Sequence, residues 1–593
     1  MKLLRLKINN PAGFRSLPCG FEHHFRSEWN LQDEQAKPDG FAPFVCAGPN
    51  GSGKSNLLEV LAAIFFQLEV QRVRRSFLPD ALLNDEADAT PIAYELEYLI
   101  QLPMEAQPER ERYAHVRVTK TAQATPQMYW LNPQNFAAFS HSLAADGLCS
   151  ERERDFLLPE YVLGYSSGEN EILSLPFFKM RFVQFDEYWN RLKEQLPYPG
   201  RPETRLAFLD NGFSQAILLC NLLFQDEATL KPFRDDVGVE ALKEFRIVIR
   251  RSVAVSPDAA SAFGSEHPAL TTDSETGVQR INLMHLLEAG PNSAANFDPI
   301  VSRLKRCATC WFVDEATDSL VLDYWVNDVT KLAFRENFYQ NFHQSPLALF
   351  QAFQVLLTLN LYSVSDALKT DLYRSTSHYA SETVPTLASD QRIMRFKFVR
   401  FSKEGVAQPM MLKDLSDGEH QLLHSLGLCL LFRNTTSLFL LDEPETHFNP
   451  DWRSNFITRL RQCFSGTDDN HEMLITTHTP FLISDSKPDK VLVFAKDRTS
   501  GEVSISNPDY NTLGASINKI IMNTFGKRET IGGHAQALLD ALRARFEMGG
   551  EDKDALIAEI HKQLGDSIEK VLLIKAILDS GQPGKPSNRQ AQG

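Results

Sequence analysis

The stretch Gly48-Pro49-Asn50-Gly51-Ser52-Gly53-Lys54-Ser55 limits what this chain can fold into more than any other. It follows the apolar run Phe44-Val45-Cys46 and leads into Leu57-Leu58-Glu59-Val60-Leu61. The pattern G-x-x-x-x-G-K-[ST] therefore stands between an expected strand and an expected helix. Such a loop folds back tightly at its glycines and aims successive backbone N–H groups, with the helix N-terminus, at an anion. Gly48, Asn50, Gly51, Ser52, Gly53 and Asn56 are the candidate cradle. Lys54 would reach the β- and γ-phosphates, and the Ser55 hydroxyl would ligate Mg²⁺. A Gly-rich turn before an ordinary helix would give the same letters, so downstream partners decide the matter.

Those partners come in a fixed order. Leu415-Ser416-Asp417-Gly418-Glu419-His420-Gln421 precedes the helical run Leu422 to Phe432, and a serine and a glycine at a helix N-terminus suit a second anion contact. Leu438-Phe439-Leu440-Leu441 reads as a buried strand, so Asp442 and Glu443 emerge at its carboxyl end, where open α/β sheets bind ligands. Asp442 suits Mg²⁺ through a water in the ion's outer coordination sphere, and Glu443 suits polarising the attacking water. Leu474-Ile475-Thr476-Thr477-His478 repeats the design, with His478 at the tip of the next strand, placed to hydrogen-bond a γ-phosphate.

Together these residues resemble the ABC-type ATPases: Walker A at Gly48–Ser55, signature at Leu415–Gln421, and Walker B at Leu438–Glu443. The D-loop matches Glu445-Thr446-His447-Phe448-Asn449-Pro450, and the switch histidine matches His478. The resemblance implies ATP and Mg²⁺ as cofactors and a head-to-tail homodimer or higher oligomer. Ser416, Gly418 and Glu419 of one copy would close on ATP held by Lys54 of the other. Gln184 in Phe182-Val183-Gln184-Phe185 is the choice for the family's Q-loop glutamine, and Arg15 stands where SMC-like relatives carry a basic residue near the phosphates.

Pro444-Glu445 after the two acids, and Tyr165-Ser166-Ser167-Gly168-Glu169-Asn170, look like the OLD- and RecF-related ATPases of phage defence. The chain is similar to the Septu-type defence ATPases (PtuA), including retron-associated versions. That family implies a separate HNH nuclease as partner and, in the retron setting, a reverse transcriptase with its nucleic acid. A RecF-like repair ATPase that clamps DNA is the alternative, and the nucleotide-binding subunit of a transporter is a third. A transporter subunit would carry a short coupling segment where this chain has a large insertion.

The expected fold class is α/β: an ABC-type ATPase head with a mainly helical inserted domain and a helical C-terminal extension. The expected division is 1–195 (Walker A part), 196–392 (insertion), 393–510 (signature, Walker B, D-loop and switch histidine) and 511–593 (helices and a Gly-, Pro- and Gln-rich tail). Within the last block, Ala535, Leu538, Leu539, Leu542 and Phe546 share one helix face, and Asp566 with Glu569 has capping-box spacing.

A net charge of −15 argues against a chain wrapped in nucleic acid. The clusters Arg72/Arg74/Arg75, Arg246/Arg250/Arg251 and Arg303/Lys305/Arg306 read as solvated surface. Eight scattered cysteines form no disulfide framework, no apolar run reaches membrane-span length, and Met1–Lys7 alternates like a strand, so the cytoplasm is expected and a membrane is not. Cys307-Ala308-Thr309-Cys310 lacks a second pair, so buried thiols are expected instead of zinc. The lone Asp552-Lys553-Asp554 opens a helical stretch after Gly549-Gly550, an N-cap setting and not the strand end a Toprim nuclease needs. No nuclease activity of its own is expected.

Overall fold

The computed structural model describes residues 1–27, 30–32, 34, 41–73, 78–84, 89–102, 112–136, 147–167, 172–194, 204–255, 257–261, 263, 267–274, 276–288, 298–340, 343–377, 384–467, 471–497, 499–526 and 531–580. Arg74, Arg75, Gly168–Asn170 and the tail beyond Ser580 lie outside them.

A seven-stranded sheet positions the candidate site. Its order across the sheet is Val503–Ser506, Val491–Lys496, Phe44–Ala47, Glu472–Thr477, Ser437–Asp442, Tyr161–Ser166 and Leu206–Phe208. The pairings are parallel except that of the edge strand Val503–Ser506. Every side chain of the three central strands is buried. Continuous apolar runs are what a parallel strand covered on both faces requires. Parallel register brings Ala47, Thr477, Asp442 and Ser166 to one edge of the sheet.

Helix Lys54–Arg72, the helix expected after the phosphate loop, covers one face. From Leu57 to Val70 every residue is buried, Glu59, Gln67 and Glu69 included. A helix enclosed on all sides has no solvent face to pattern. Beyond it lies an antiparallel sheet, Glu22–His24, Lys2–Ile8, Tyr94–Gln101, Tyr113–Lys120 and Gln127–Trp130, whose strand Lys2–Ile8 carries the alternation of Met1–Lys7.

The insertion holds more helix than strand, yet it is not set apart from the core as the expected boundaries imply. Leu206–Phe208 extends the nucleotide sheet from inside the block assigned to the insertion. Met394–Lys403, assigned to the resumed core, pairs with Val239–Arg250 in a second five-stranded antiparallel sheet. Val45, Leu163, Ile217, Phe245, Leu426 and Phe439 belong to one continuous hydrophobic cluster. Apolar side chains from both blocks fill the same interior, so neither cut at 195/196 nor at 392/393 separates two cores.

The C-terminal extension begins later than residue 511. Helix Ile517–Thr524 still packs on Pro480–Ser484, whereas Gly533–Met548, Lys553–Gln563 and Ile568–Asp579 form a three-helix unit with its own core of Leu539, Leu542, Leu556, Ile560, Leu564, Leu573 and Ile577. Its last helix is capped by Ser567, whose hydroxyl accepts from the Lys570 N–H, and not by Asp566. Asp566 instead takes the Lys570 ammonium at 3.1 Å. The cap falls to whichever residue has extended backbone at the boundary, here Ser567.

Candidate active site

The phosphate loop is shaped by its glycines. Gly48 has φ +144°, and a Cβ there would lie 2.4 Å from the Phe494 carbonyl oxygen. Gly53 has φ +99°, and its Cβ would meet the Ser16 hydroxyl at 2.8 Å. Any other residue at either position would have to displace its neighbour. Asn50 and Gly51 stand exposed at the crest, while Ser52 is buried and donates to the Pro49 carbonyl at 2.8 Å. Lys54 curls over the loop, and its ammonium donates to the carbonyls of Gly48 and Pro49 at 3.1 Å each. Burial lowers its pKa, against the raising influence of Glu443 and Asp442.

Ser55 and Asp442, far apart in the chain, meet here. The Ser55 hydroxyl donates to Asp442 Oδ1 at 2.7 Å, and the Thr476 hydroxyl donates to the same oxygen at 2.6 Å. Asp442 is fully buried, and burial raises its pKa. A serine hydroxyl and a carboxylate converging beside a phosphate loop are the oxygen donors that Mg²⁺ takes, with substrate phosphate and water completing its shell. The site residues thus fit the ion.

Glu443 stands beside them with φ +50°, a left-handed conformation uncommon for a side-chain-bearing residue. The Thr476 hydroxyl accepts from its N–H at 3.0 Å, and the Thr446 hydroxyl donates to its carbonyl at 2.9 Å. His478 Nε2 lies 2.8 Å from Glu443 Oε1. That hydrogen bond leads the causes holding the Glu443 carboxyl below its ordinary pKa. Thr476, silent in the sequence because it reads as a strand former, joins Asp442 to the Glu443 backbone.

Ser166 and Ser167 also belong here. Ser166 donates to Asp442 Oδ2 at 3.4 Å, and Ser167 shares a hydrogen bond with Thr446 at 3.0 Å. Gln184 does not belong. It lies inside helix Ser174–Lys193, and its buried amide donates to the Thr204 hydroxyl and the Leu206 carbonyl, bracing the edge strand. A glutamine on a helix face turned into the core finds its partners there. Arg15 reaches the phosphate-loop helix through Glu59, at 3.0 and 2.9 Å. Asn56 is bonded to the Ser16 hydroxyl at 2.6 Å and to Glu59 at 3.3 Å.

In the signature, Ser416 caps helix Asp417–Phe432 in a complete capping box with Glu419. Lys403 pairs with the other Glu419 oxygen, so Glu419 acts within its own chain. Gly418 packs against the D-loop: a Cβ there would lie 2.7 Å from the His447 carbonyl oxygen. Gln421 Oε1 accepts from the His447 N–H at 3.1 Å. Glu445, buried, accepts from the Thr477 hydroxyl, and burial pushes its pKa up to about 7.

Most of the described cluster residues are ion-paired: Arg72 with Glu69, Arg246 with Asp323, Arg251 with Glu315, Lys305 with Glu288 and Arg306 with Asp298. Arg250 donates instead to the Asp390 carbonyl, and Arg303 lies over the Phe338 ring. Cys307 is buried as expected but Cys310 is exposed, and all eight cysteines are free. No cluster of three or more metal-ligating side chains occurs among the described residues. No single helix among them is long and apolar enough to cross a membrane. Asp552 stands at the N-terminus of helix Lys553–Gln563, as its spacing implies.

Among solved structures, the chain is similar to the SMC head domain from Thermotoga maritima, at 10% identity and a TM-score of 0.29 over 86% of this chain and 100% of that one. It is also similar to the Smc head domain with an extended coiled coil bound to the C-terminal domain of ScpA, derived from Pyrococcus furiosus, at 12% identity and a TM-score of 0.30 over 86% and 96%. Residues 314–484 match the family described as "AAA domain, putative AbiEii toxin, Type IV TA system". That span contains the signature, Asp442, Glu443 and His478, and the structure joins it to the phosphate loop through Ser55. The chain is a mixed α/β fold in which the phosphate loop meets the Asp442 strand end at the edge of one largely parallel sheet.

Proposed function

We propose that this chain is an ABC-type ATPase whose ATP-driven, head-to-tail dimerisation switches a separate effector, an HNH nuclease of an anti-phage defence system. The observation that carries the hydrolytic half is the Ser55–Asp442–Thr476 cluster directly beside the Glu443–His478 pair. In this reading Lys54 leaves the loop carbonyls for the β- and γ-phosphates. Ser55 and Asp442 would hold Mg²⁺, which would supply charge neutralisation at the phosphates. Glu443 orients a water molecule and takes its proton as the water oxygen bonds to the γ-phosphorus and the bond to the ADP oxygen breaks. His478 fixes the Glu443 carboxylate and faces the γ-phosphate. Ser416 and Gly418 complete the site from a second copy. A cytoplasmic setting suits eight free thiols.

The defence half rests on the resemblance of the Pro444-Glu445 segment and on the toxin–antitoxin wording of the family matched over 314–484. The effector is assigned to a partner because Ser55 and Asp442 are committed to ATP, whereas two-metal nucleases need a further carboxylate cluster. Lys54→Ala should abolish ATP binding. Glu443→Gln should bind ATP, stall turnover and accumulate as a dimer, checked by nucleotide affinity, phosphate release and mass in solution. Wild-type turnover by Glu443→Gln would refute the catalytic assignment. A pull-down from the native host, followed by nuclease assays with and without the captured partner, tests the switch. Cleavage by the isolated chain, lost on replacing Asp552 and Asp554, would overturn it.

A further inference from the structure

A cavity of about 850 Å³ lies on the flank of the phosphate-loop helix Lys54–Arg72 and includes no residue of Gly48–Ser55 and neither Asp442 nor Glu443. The turn Asn10–Arg15 bounds it on one side, and Leu175, Pro176, Lys179 and Tyr373–Thr376 bound it on the other. Its walls are largely apolar, with Phe14, Phe66, Val70, Leu82 and Ile92 among them. Size and lining are those of a small-molecule pocket, where a few polar groups fix an otherwise apolar ligand.

Arg15, Lys179 and Arg374 line this cavity together with the Glu59 carboxylate, and Arg15 and Lys179 differ in how they are compensated. Arg15 has Glu59 as a two-point partner and also donates to the Thr376 carbonyl at 2.9 Å. Lys179 donates to the Ser375 carbonyl at 2.7 Å, and among the described residues the one charged group that acts on it is the Arg15 guanidinium. Burial, helped by the charge of Arg15, pushes the Lys179 pKa down to about 8. A half-buried ammonium beside a neutral carbonyl and a neighbouring guanidinium is a charge with no carboxylate partner among the described residues. An anion entering the cavity would supply the missing partner.

We propose that this cavity is a binding site for a small amphipathic anion, its carboxylate or phosphate head against Lys179 and its apolar body along Phe66, Val70 and Leu82. Arg15 links the cavity to Glu59, and Glu59 to Asn56, the residue after Ser55. The ligand is therefore an effector of nucleotide affinity, a role that rests on the ATPase reading; the binding site itself does not.

The test uses the full chain and two ten-carbon probes, decanoate and decanol, each displacing 8-anilinonaphthalene-1-sulfonate followed by fluorescence. Decanoate should compete about tenfold better than decanol, as a charge-assisted contact requires. Lys179→Gln should erase that difference, Lys179→Arg should keep it, and Leu82→Trp should block both probes by filling the apolar end. Equal competition by the two probes in the wild type would overturn the proposal, as would an unchanged preference in Lys179→Gln. Displacement of the dye by ATP that depends on Lys179 would assign the cavity to the nucleotide itself and overturn a separate site. Decanoate binding to the Lys54→Ala chain tests the site apart from ATP. In the wild type, saturating decanoate should change ATP affinity about fivefold, and no change would remove the effector role.

Discussion

Asp442 and Glu472 occupy opposite ends of two paired strands: Leu438 sits beside Glu472, and Asp442 beside Thr476. Both carboxyls are buried. At the amino end, the Arg26 guanidinium donates to Glu472 at 2.5 and 3.0 Å, and the Leu3 N–H adds a bond at 2.7 Å. Glu34 extends this network to Arg26, Lys2 and Lys490. Burial alone would raise the Glu34 carboxyl, but those cations hold it at about 2. At the carboxyl end, Asp442 receives hydroxyls from Ser55 and Thr476, and burial raises it. One sheet therefore carries a carboxyl held by cations at one end and a carboxyl held by hydroxyls at the other. The first end holds two sheets together; the second is arranged for chemistry.

Substitutions can break or sharpen this contrast. The largest effect is expected from Asp442→Asn, which should lower ATP turnover by about 10²–10³-fold. It should not lower the urea midpoint of the nucleotide-free chain. A carboxyl with a raised folded pKa contributes stability below its unfolded value that is lost as pH rises, and asparagine removes that loss. Arg26→Ala should do the reverse at the other end. It strands Glu472 and should cost about 3–5 kcal/mol in urea unfolding, because a buried charge loses its partner.

Acidity gives a smaller and opposed pair of effects. The Glu34 carboxyl, held near 2, contributes stability that is present above its ordinary value of 4.5 and lost as pH falls toward 2. Melting curves over that range should steepen this loss in the wild type relative to Arg26→Ala. Glu445, raised to about 7, should do the opposite, with stability falling as pH rises from 4.5 through 7. Glu445→Gln should then narrow the gap in melting temperature between pH 5 and pH 8. The smallest change should follow deletion of residues 531–593. Its three helices have a core of their own, so the unfolding free energy of the remaining chain in urea should change by no more than about 0.5 kcal/mol.

The layout of the site was legible because its strand motifs are apolar runs that end in a polar tip or run straight into the phosphate loop, and parallel strands bring such ends to one edge. Ser437–Asp442 and Glu472–Thr477 are the first kind and Phe44–Ala47 the second. What escaped were residues whose letters fit their local element without further purpose. Thr476 is an ordinary strand residue until Asp442 lies beside it, and Ser166 is an ordinary turn residue until the same oxygen approaches. Gln184 was misplaced because a glutamine in sequence does not reveal which side of its helix is covered. The insertion's limits were hidden for another reason. Alternation in Met394–Lys403 marks a strand but cannot name Val239–Arg250 as its neighbour, since pairing across such a separation depends on the whole interior.

The contact between Gly418 and the His447 carbonyl, reinforced by Gln421, has a mechanical meaning. With no Cβ between them, the start of helix Asp417–Phe432 and the turn after Glu443 are in direct backbone contact, so they form a single lever. A push on Ser416 at one end of that lever is delivered to the segment carrying Glu443 without passing through a compliant side chain. Enlarging residue 418 would insert a wedge at the fulcrum.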